Sequence, residues 1–190
     1  TDLKGDGTLT ARAFGDVNIY ERVGNMNIEG VFSKSGGIYL EAAGSIVDGL
    51  NHDFTKIQAE HVVLTAGGAI GESGDYLEVD TLNTGTLTAT ANGSIWIADT
   101  DGNMNIRNVL SRNGDVDLKA AVNILDAVDM TDPYHPESSG DDAVTPHNPM
   151  ADVHVHNRKL HHDIRAMCLP GPHTDYAIPP RRPVPGSAFP

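Results

Sequence analysis

The strongest constraint on this 190-residue chain is an internal repeat. The pentapeptide that begins at Gly24 occurs again, letter for letter, at Gly102, which gives an offset of 78 residues (102 minus 24). The same offset aligns residues 7–49 with residues 85–127 without a gap, and roughly half of the aligned positions are identical. A gapless repeat of this length indicates that one structural unit is used twice.

Within each copy, short segments of alternating apolar and polar residues follow glycine turns. Val17–Tyr20, Ile38–Ala42 and His61–Thr65 are examples, and no helical pattern lies between such segments. They arrive about every ten residues, the spacing of an all-β protein. The 20 glycines and the low aromatic content of 5% also suit short strands and tight turns. The expected class is all-β.

Two all-β architectures fit this rhythm, a sandwich of hairpins and a solenoid of stacked coils. The repeat favours the β-solenoid. A sandwich needs different edge and central strands, whereas each coil of a solenoid has the same environment and therefore favours the same residues. If one coil takes roughly 20 residues, one repeat makes about four coils. The two copies of the pentapeptide are then expected at equivalent positions in two coils.

The alternation predicts which side chains face the core of the solenoid. Those expected to point inward are Leu9, Val17, Ile19, Met26, Ile28, Ile38, Leu40 and Ile46, with their copies Leu87, Ile95, Ile97, Met104, Ile106, Val116, Leu118 and Ile124. Those expected to point outward are Asn18, Asn27, Tyr39, Trp96, Asn105 and Asp117. Glycines at the corners would allow the positive φ of a sharp turn.

Several segments resemble the repeats of large bacterial exoproteins of the filamentous haemagglutinin type, including autotransporter-like adhesins. They are GDVDLKA at 114–120, NILDA at 123–127, VVLTAGGAIG at 62–71 and GSIVDG at 44–49. The resemblance covers about residues 5–129. It implies a right-handed parallel β-helix that serves as a shaft, followed by neighbouring repeats of a longer parent chain. It also implies a secreted or cell-surface location and an adhesive role towards host-cell, matrix or carbohydrate surfaces, and it assigns no catalytic residue.

The net charge of −13 argues against a nucleic-acid partner, because the phosphate backbone would be repelled. No apolar run approaches the roughly 20 residues that cross a bilayer, so no membrane span is expected in this segment. Because the first residue, Thr1, is not methionine, we expect an internal piece of a longer protein, whose signal peptide would lie upstream.

The repeat pattern is expected to end near Asp129. Residues 1–129 are assigned to the solenoid, residues 130–150 to a proline-rich acidic loop, and residues 151–190 to an atypical tail rich in His, Pro and Arg. This tail has no period and is expected to be irregular and disordered. It fits a native terminal tail, a junction with another module, or an altered reading frame.

Two weak metal sites are considered. His154, His156, His161 and His162 have side chains that suit zinc, copper or nickel, although incidental exposed histidines fit the same pattern. Asp99 and Asp101 could hold a surface calcium at a coil corner, but the EF-hand ligand pattern is missing. No metal or other cofactor is therefore assigned.

Trp96 is the outward residue of most interest, because the copy before it carries the polar Asn18 at the same place. An exposed indole on a flat strand can stack on a sugar ring, or it can cover an apolar gap beneath a loop.

Two functions remain open. One is a structural, adhesive shaft without catalysis. The other is a polysaccharide-binding or polysaccharide-degrading module, a lyase or hydrolase with clustered carboxylates and bases in a groove. The sequence favours the shaft, because its carboxylates are scattered, a catalytic site is normally not repeated, and its basic residues are not expected to converge. The basic residues in question are Lys34, Lys56, Arg107 and Lys119.

Overall fold

The computed structural model describes residues 2–3, 7–127, 144–146 and 153–156. These residues form an all-β solenoid of about six turns, in which every pair of strands is parallel. No helix in this described part of the chain is long and apolar enough to cross a membrane. The predicted fold class, a β-solenoid, is therefore confirmed.

The described residues contain thirteen strands and no helix. In the first half of the chain they are β1 (Thr8–Ala13), β2 (Val17–Glu21), β3 (Met26–Ser33), β4 (Gly37–Ala42), β5 (Ile46–Asp48), β6 (Ile57–Ala66) and β7 (Leu77–Ala91). The remaining strands are β8 (Ile95–Asp99), β9 (Met104–Ser111), β10 (Val116–Ala120), β11 (Ile124–Asp126), β12 (Val144–Pro146) and β13 (Val153–His156).

The strands stack in two columns. The first column contains β1, β3, β5, the beginnings of β6 and β7, and then β8, β10 and β13. The second column contains β2, β4, residues 61–66 of β6, residues 86–91 of β7, β9, and then β11 and β12, which both pair with β9. Because strands pair with those of the neighbouring turns, the backbone hydrogen bonds run along the stack.

The length of a turn varies along the stack. In the second column Val17, Ile38, Val62, Leu87 and Ile106 are successive partners, so the turns take 21, 24, 25 and 19 residues by subtraction of these positions. The two longer turns are those that carry the loops at 49–56 and 71–76. The stack therefore absorbs extra residues in loops and keeps its inward rows in register.

The two copies of the repeat occupy different columns, which corrects the expectation of equivalent coils. Val17 lies in the second column, whereas its copy Ile95 lies in the first, in one row with Met26, Ile46, Ile70 and Val116. Three full turns lead from Val17 to Leu87, and Ile95 follows less than half a turn later. The repeat therefore spans about three and a half turns and not four, since two of its turns are lengthened by loops.

The pairings themselves are copied. Leu9 pairs with Ile28 and Leu87 pairs with Ile106, and an irregularity of register follows both Leu9 and Leu87. Likewise β2 pairs with β4 as β8 pairs with β10, and β3 pairs with β5 as β9 pairs with β11. Each copy thus carries its own strand-pairing pattern into whichever column it enters.

The repeated pentapeptide has the same structural role in both copies. Gly24 and Gly102 have φ values of 83° and 76°, which side-chain-bearing residues rarely adopt. Met26 and Met104 are completely buried. The amides of the asparagines that follow reach back one turn, since Asn27 Nδ2 donates to Gly7 O at 3.2 Å and Asn105 Nδ2 donates to Gly85 O at 3.0 Å. A corner, a core contact and a link between turns explain why the pentapeptide is conserved within the chain.

The predicted inward residues form the core, with one exception. All sixteen are buried except Ile19, which is partly buried and packs against the core. Ile19 lies in the first described turn of its column, so only one neighbouring turn covers it. The predicted outward residues are exposed or partly exposed, as the alternation of strands requires.

The strands β12 and β13 lie within segments that the sequence assigned to a loop and a tail. β12 pairs with residues 109–111 of β9, and β13 pairs with residues 116–119 of β10. The rest of the predicted loop at 130–150 and of the predicted disordered tail at 151–190 lies outside the described residues.

Candidate functional site

The outer face of the second column carries a shallow groove of about 330 Å³. Its lining comes from alternate residues of β2, β4 and β6, whose side chains share this face because strands point successive side chains to opposite sides. The residues whose side chains line it are Asn18, Tyr20, Tyr39, Glu41, Val63 and Thr65.

Register places these side chains in two rows across three turns. Asn18, Tyr39 and Val63 are successive partners in one row, and Tyr20 and Glu41 are partners in the other. Tyr20 is 47% exposed and Tyr39 is 39% exposed, so each ring is accessible from solvent. Two tyrosine rings beside an amide and a carboxylate offer both a stacking surface and hydrogen-bonding groups.

Sequence reasoning predicted that Tyr39 faces outward but missed the groove. The signal was present in the spacing, because Tyr39 follows Asn18 by 21 residues and Glu41 follows Tyr20 by the same number, which is one turn. A known turn length of 21 residues would have shown that these residues lie side by side. The turn length follows only from the strand register.

Trp96, the ligand-binding residue proposed from the sequence, lies elsewhere, on β8 in the first column. Its side chain is partly buried, and its Cα pairs with that of Asp117 on β10. On the same face Tyr76 donates a hydrogen bond from its hydroxyl to Asp117 Oδ2 at 2.6 Å. Lys119 Nζ lies 3.5 Å from the centre of the Tyr76 ring. Sugar binding by Trp96 stays a prediction. The residues on the same face, Tyr76, Asp117 and Lys119, already contact one another.

The contact between Tyr76 and Asp117 affects the titration of the tyrosine. Burial raises the pKa of the Tyr76 hydroxyl, and both the hydrogen bond to Asp117 and the negative charge of that carboxylate raise it further. The hydroxyl therefore stays protonated and keeps its role as a donor.

Asp99 and Asp101, the candidate calcium ligands, lie in different environments. Asp99 is 3% exposed, whereas Asp101 is exposed. The Asp99 carboxylate accepts hydrogen bonds from Thr81 Oγ1 at 3.0 Å and from the Asp101 N–H at 3.3 Å. Burial raises the pKa of Asp99 to about 6. Among the residues with described side chains, no group of three or more His, Cys, Asp or Glu could hold a metal ion.

The candidate histidine site is only partly described. His154 and His156 belong to β13, where they pair in register with Asp117 and Lys119 of β10. His161 and His162 lie outside the described residues. The predicted metal site therefore stays a prediction.

A buried charged cluster lies at the base of the loop 49–56. The Lys56 side chain is completely buried, and its Nζ lies 2.8 Å from Asp48 Oδ2 and 3.4 Å from Glu78 Oε2. Lys56 Nζ also donates to the carbonyl oxygens of His52 and of Phe54, the latter at 2.9 Å. The expectation that the basic residues do not converge with carboxylates is wrong for Lys56.

Sequence reasoning missed this cluster because its three residues are separated along the chain and share no motif. Glu78 follows Lys56 by 22 residues, one turn, and the adjacent pair Ile57 and Val79 shows that they lie side by side. Asp48 ends β5 and Lys56 precedes β6, so the loop between them brings its own two ends together. The spacing of one turn was the available signal.

Comparison of the chain with protein-family models, with curated proteins and with solved structures gives no match.

Proposed function

We propose that this chain is a segment of an adhesive shaft in a large secreted or surface-anchored bacterial exoprotein, without catalysis of its own. The observation that supports this most is the continuity of the stack across the repeat. The strands of the second copy pair with one another through the same pattern of partners as in the first copy, although they lie in the other column. The second copy also pairs with the turns that precede it.

A stack with this property can be lengthened without special junctions. Each turn offers the next one a parallel backbone edge and a row of buried apolar side chains, such as Met26, Ile46, Ile70, Ile95 and Val116. Further units would extend the rod by the same interactions, because each turn contacts only its neighbours. Such a rod would hold a binding surface away from the cell.

The buried position of the charged cluster supports the shaft over an enzyme. Most glycoside hydrolases use two carboxyl groups that flank an accessible glycosidic bond. Asp48 and Glu78, which meet at Lys56, have side-chain exposures of 0% and 5%. A polymeric substrate would not reach them.

Surface labelling of the source cells tests the proposal. Antibodies raised against the purified chain are expected to label intact, unpermeabilised cells, and external protease is expected to remove the label. A cytoplasmic protein detected in parallel controls for lysis. Detection of the chain only after lysis would contradict the proposal.

The tyrosine groove favours polysaccharide binding as a second candidate function. Two exposed rings, Tyr20 and Tyr39, lie on a flat face with Asn18 and Glu41, a combination that can stack on sugars and bind their hydroxyl groups. A shaft could bind glycans along its length through such a face.

A glycan array probed with the purified chain tests this second function. Tyr39→Ala is expected to weaken binding about fivefold, since loss of one ring contact is worth about 1 kcal/mol. Phe14→Ala is the matched control, because Phe14 is 71% exposed but does not line the groove. Equal binding by the Tyr39→Ala variant, or no binding by the wild-type chain, would reject the groove as a glycan site.

A further inference from the structure

The cluster around Lys56 brings an amine and two carboxyl groups together in a buried site. Lys56 is 0% exposed and is among the largest fully buried side chains of the described residues. Its Nζ lies 2.8 Å from Asp48 Oδ2 and 3.4 Å from Glu78 Oε2. An isolated buried lysine is costly, and Lys56 is therefore held with two carboxylates at hydrogen-bond distance.

We propose that this cluster is a modification site, in which Lys56 Nζ condenses with the Asp48 side-chain carboxyl to form an intramolecular isopeptide bond, with Glu78 as the proton carrier. The proposal goes beyond the shaft function and does not depend on it. Its substrates are the two side chains themselves, and it needs no cofactor.

The reaction balances with one molecule of water as the by-product. The lone pair of the neutral Lys56 amine attacks Cγ of the protonated Asp48 carboxyl and forms a tetrahedral intermediate. Glu78 takes one proton from the nitrogen and gives a proton to the departing oxygen, which leaves as water. A C–N bond replaces a C–O bond, an N–H proton leaves with the oxygen, and no atom is oxidised or reduced.

The reactive form is reached by a proton transfer inside the cluster. Burial alone would raise the pKa of Asp48, but hydrogen bonds from Lys56 and from the N–H groups of Leu50 and His52 outweigh it and lower that pKa. The resting pair is therefore charged. Transfer of one proton from the ammonium to Asp48 gives the neutral amine and acid, and burial reduces the free-energy cost of this transfer because it disfavours both charges.

Glu78 has the properties of a proton carrier. Burial is the main reason that its pKa is raised, and the charge of Lys56 only partly offsets this. A carboxyl group with a raised pKa accepts a proton more readily than an ordinary one and can return it to a departing oxygen. Its Oε2 touches the reacting nitrogen of Lys56, so it needs no movement of the backbone to act.

Backbone groups of the loop hold the Asp48 carboxyl in place. The N–H of Leu50 donates to Asp48 Oδ1 at 2.7 Å, and the N–H of His52 donates to Asp48 Oδ2 at 3.0 Å. The first of these donors would stabilise the negative charge that develops on Oδ1 in the tetrahedral intermediate. The carbonyl oxygen of Phe54, 2.9 Å from Nζ, orients the amine. Fixed orientation of this kind greatly raises the rate of an intramolecular reaction.

The bond would close the loop 49–56 covalently at its base. This loop carries Phe54, which is 74% exposed, and Leu50, which is 43% exposed. With Asp48 and Lys56 joined, the two ends of the loop could not move apart without breaking an amide. A noncovalent salt bridge between the same atoms would not give that property.

Mass spectrometry of the purified full chain tests the proposal directly. After denaturation, the intact mass is expected to be lower than the sequence mass by one water. Between Lys34 and Arg107 the chain offers trypsin only Lys56 as a cleavage site. An amide at Lys56 blocks this site, so digestion is expected to yield one fragment of residues 35–107 that also lacks one water.

Two other outcomes would overturn the proposal. The full sequence mass with cleavage after Lys56 would mean that the pair is a salt bridge only. Loss of one water with Lys56 still cleaved would indicate a cyclic imide at Asp48–Gly49 and not a link to Lys56. Both results can be read from the wild-type chain, so neither depends on the folding of a variant.

Variants then assign the roles. Lys56→Arg keeps the charge but lacks the amine, and Glu78→Gln keeps the shape but carries no proton, so each is expected to show its full sequence mass. Glu72→Gln is the matched control, because Glu72 is an exposed carboxylate on the next loop, and it is expected still to lose one water. An unchanged loss of water in Glu78→Gln would reject Glu78 as the proton carrier.

Discussion

The buried carboxyl of Asp99 should make the stability of the solenoid depend on pH. Burial is the largest cause of its raised pKa, and the charge of Asp80 adds to it, whereas hydrogen bonds from Thr81 and Asp101 lower it. The folded-state pKa is about 6, against the ordinary value of 3.8 for an aspartate side chain. The folded state therefore binds this proton more tightly than the unfolded state does.

The sign of the effect follows from this difference. Above pH 6 the buried Asp99 is charged and destabilises the fold, and as the pH falls through 6 towards 4 its protonation restores stability. The full shift corresponds to about 3 kcal/mol. Between about pH 7.5 and about pH 4.5 the same two pKa values give a change of about 2 kcal/mol in the free energy of unfolding.

Replacing Asp99 by Asn removes this titration. Urea unfolding followed by circular dichroism, at about pH 7.5 and about pH 4.5, gives the free energy of unfolding of variant and wild type. The difference in the free energy of unfolding between Asp99→Asn and wild type is expected to be about 2 kcal/mol more in favour of the variant at the higher pH than at the lower. This double difference cancels other groups that titrate, such as Asp48, whose lowered pKa acts in the opposite direction.

Asp101→Asn is the matched control. Asp101 is a close neighbour in sequence but its residue is exposed, so its relative stability should be nearly the same at both pH values. If Asp99→Asn also differs from wild type by an equal amount at both pH values, burial does not perturb Asp99 and the argument is refuted.

Three further variants test the structure, each by the free energy of unfolding in urea. Gly24→Ala should cost about 1–2 kcal/mol because Gly24 has a φ of 83°. Gly15→Ala, whose added Cβ meets nothing within 4 Å, should cost less than about 0.5 kcal/mol. Equal costs would show that Gly24 does not form a left-handed corner. Ile70→Ala should cost about 2–5 kcal/mol because Ile70 is completely buried. Val122→Ala should cost less than about 0.5 kcal/mol, since Val122 is 47% exposed. A small cost for Ile70→Ala would mean that Ile70 does not belong to the buried row. Asn105→Ala should cost about 1 kcal/mol through loss of its hydrogen bond to Gly85 O, and no cost would show that this link between turns is not formed.

The sequence predicts the strands and the core of this fold well, because both depend on local periodicity. Alternation along a strand fixes which side chains face inward, and Leu40, Met104 and Leu118 are buried as predicted. Ile19 is the exception and is only partly buried. These features need no knowledge of how turns are aligned.

The alignment of turns and the candidate sites could not be predicted in the same way. The loops 49–56 and 71–76 lengthen two turns, which moves the second copy of the repeat to the other column. The groove at Tyr39 and the cluster at Lys56 each combine residues one turn apart. Their composition depends on the exact length of a turn, and an apolar–polar pattern does not specify it.

The central claim, that the chain is one stretch of a longer repetitive shaft, is tested most directly by sequencing the parent gene on both sides of these 190 codons. The account predicts that the same frame continues into further units of about 78 residues with the same inward rows, downstream of a secretion signal. A parent gene that carries no further unit and no secretion signal would contradict it.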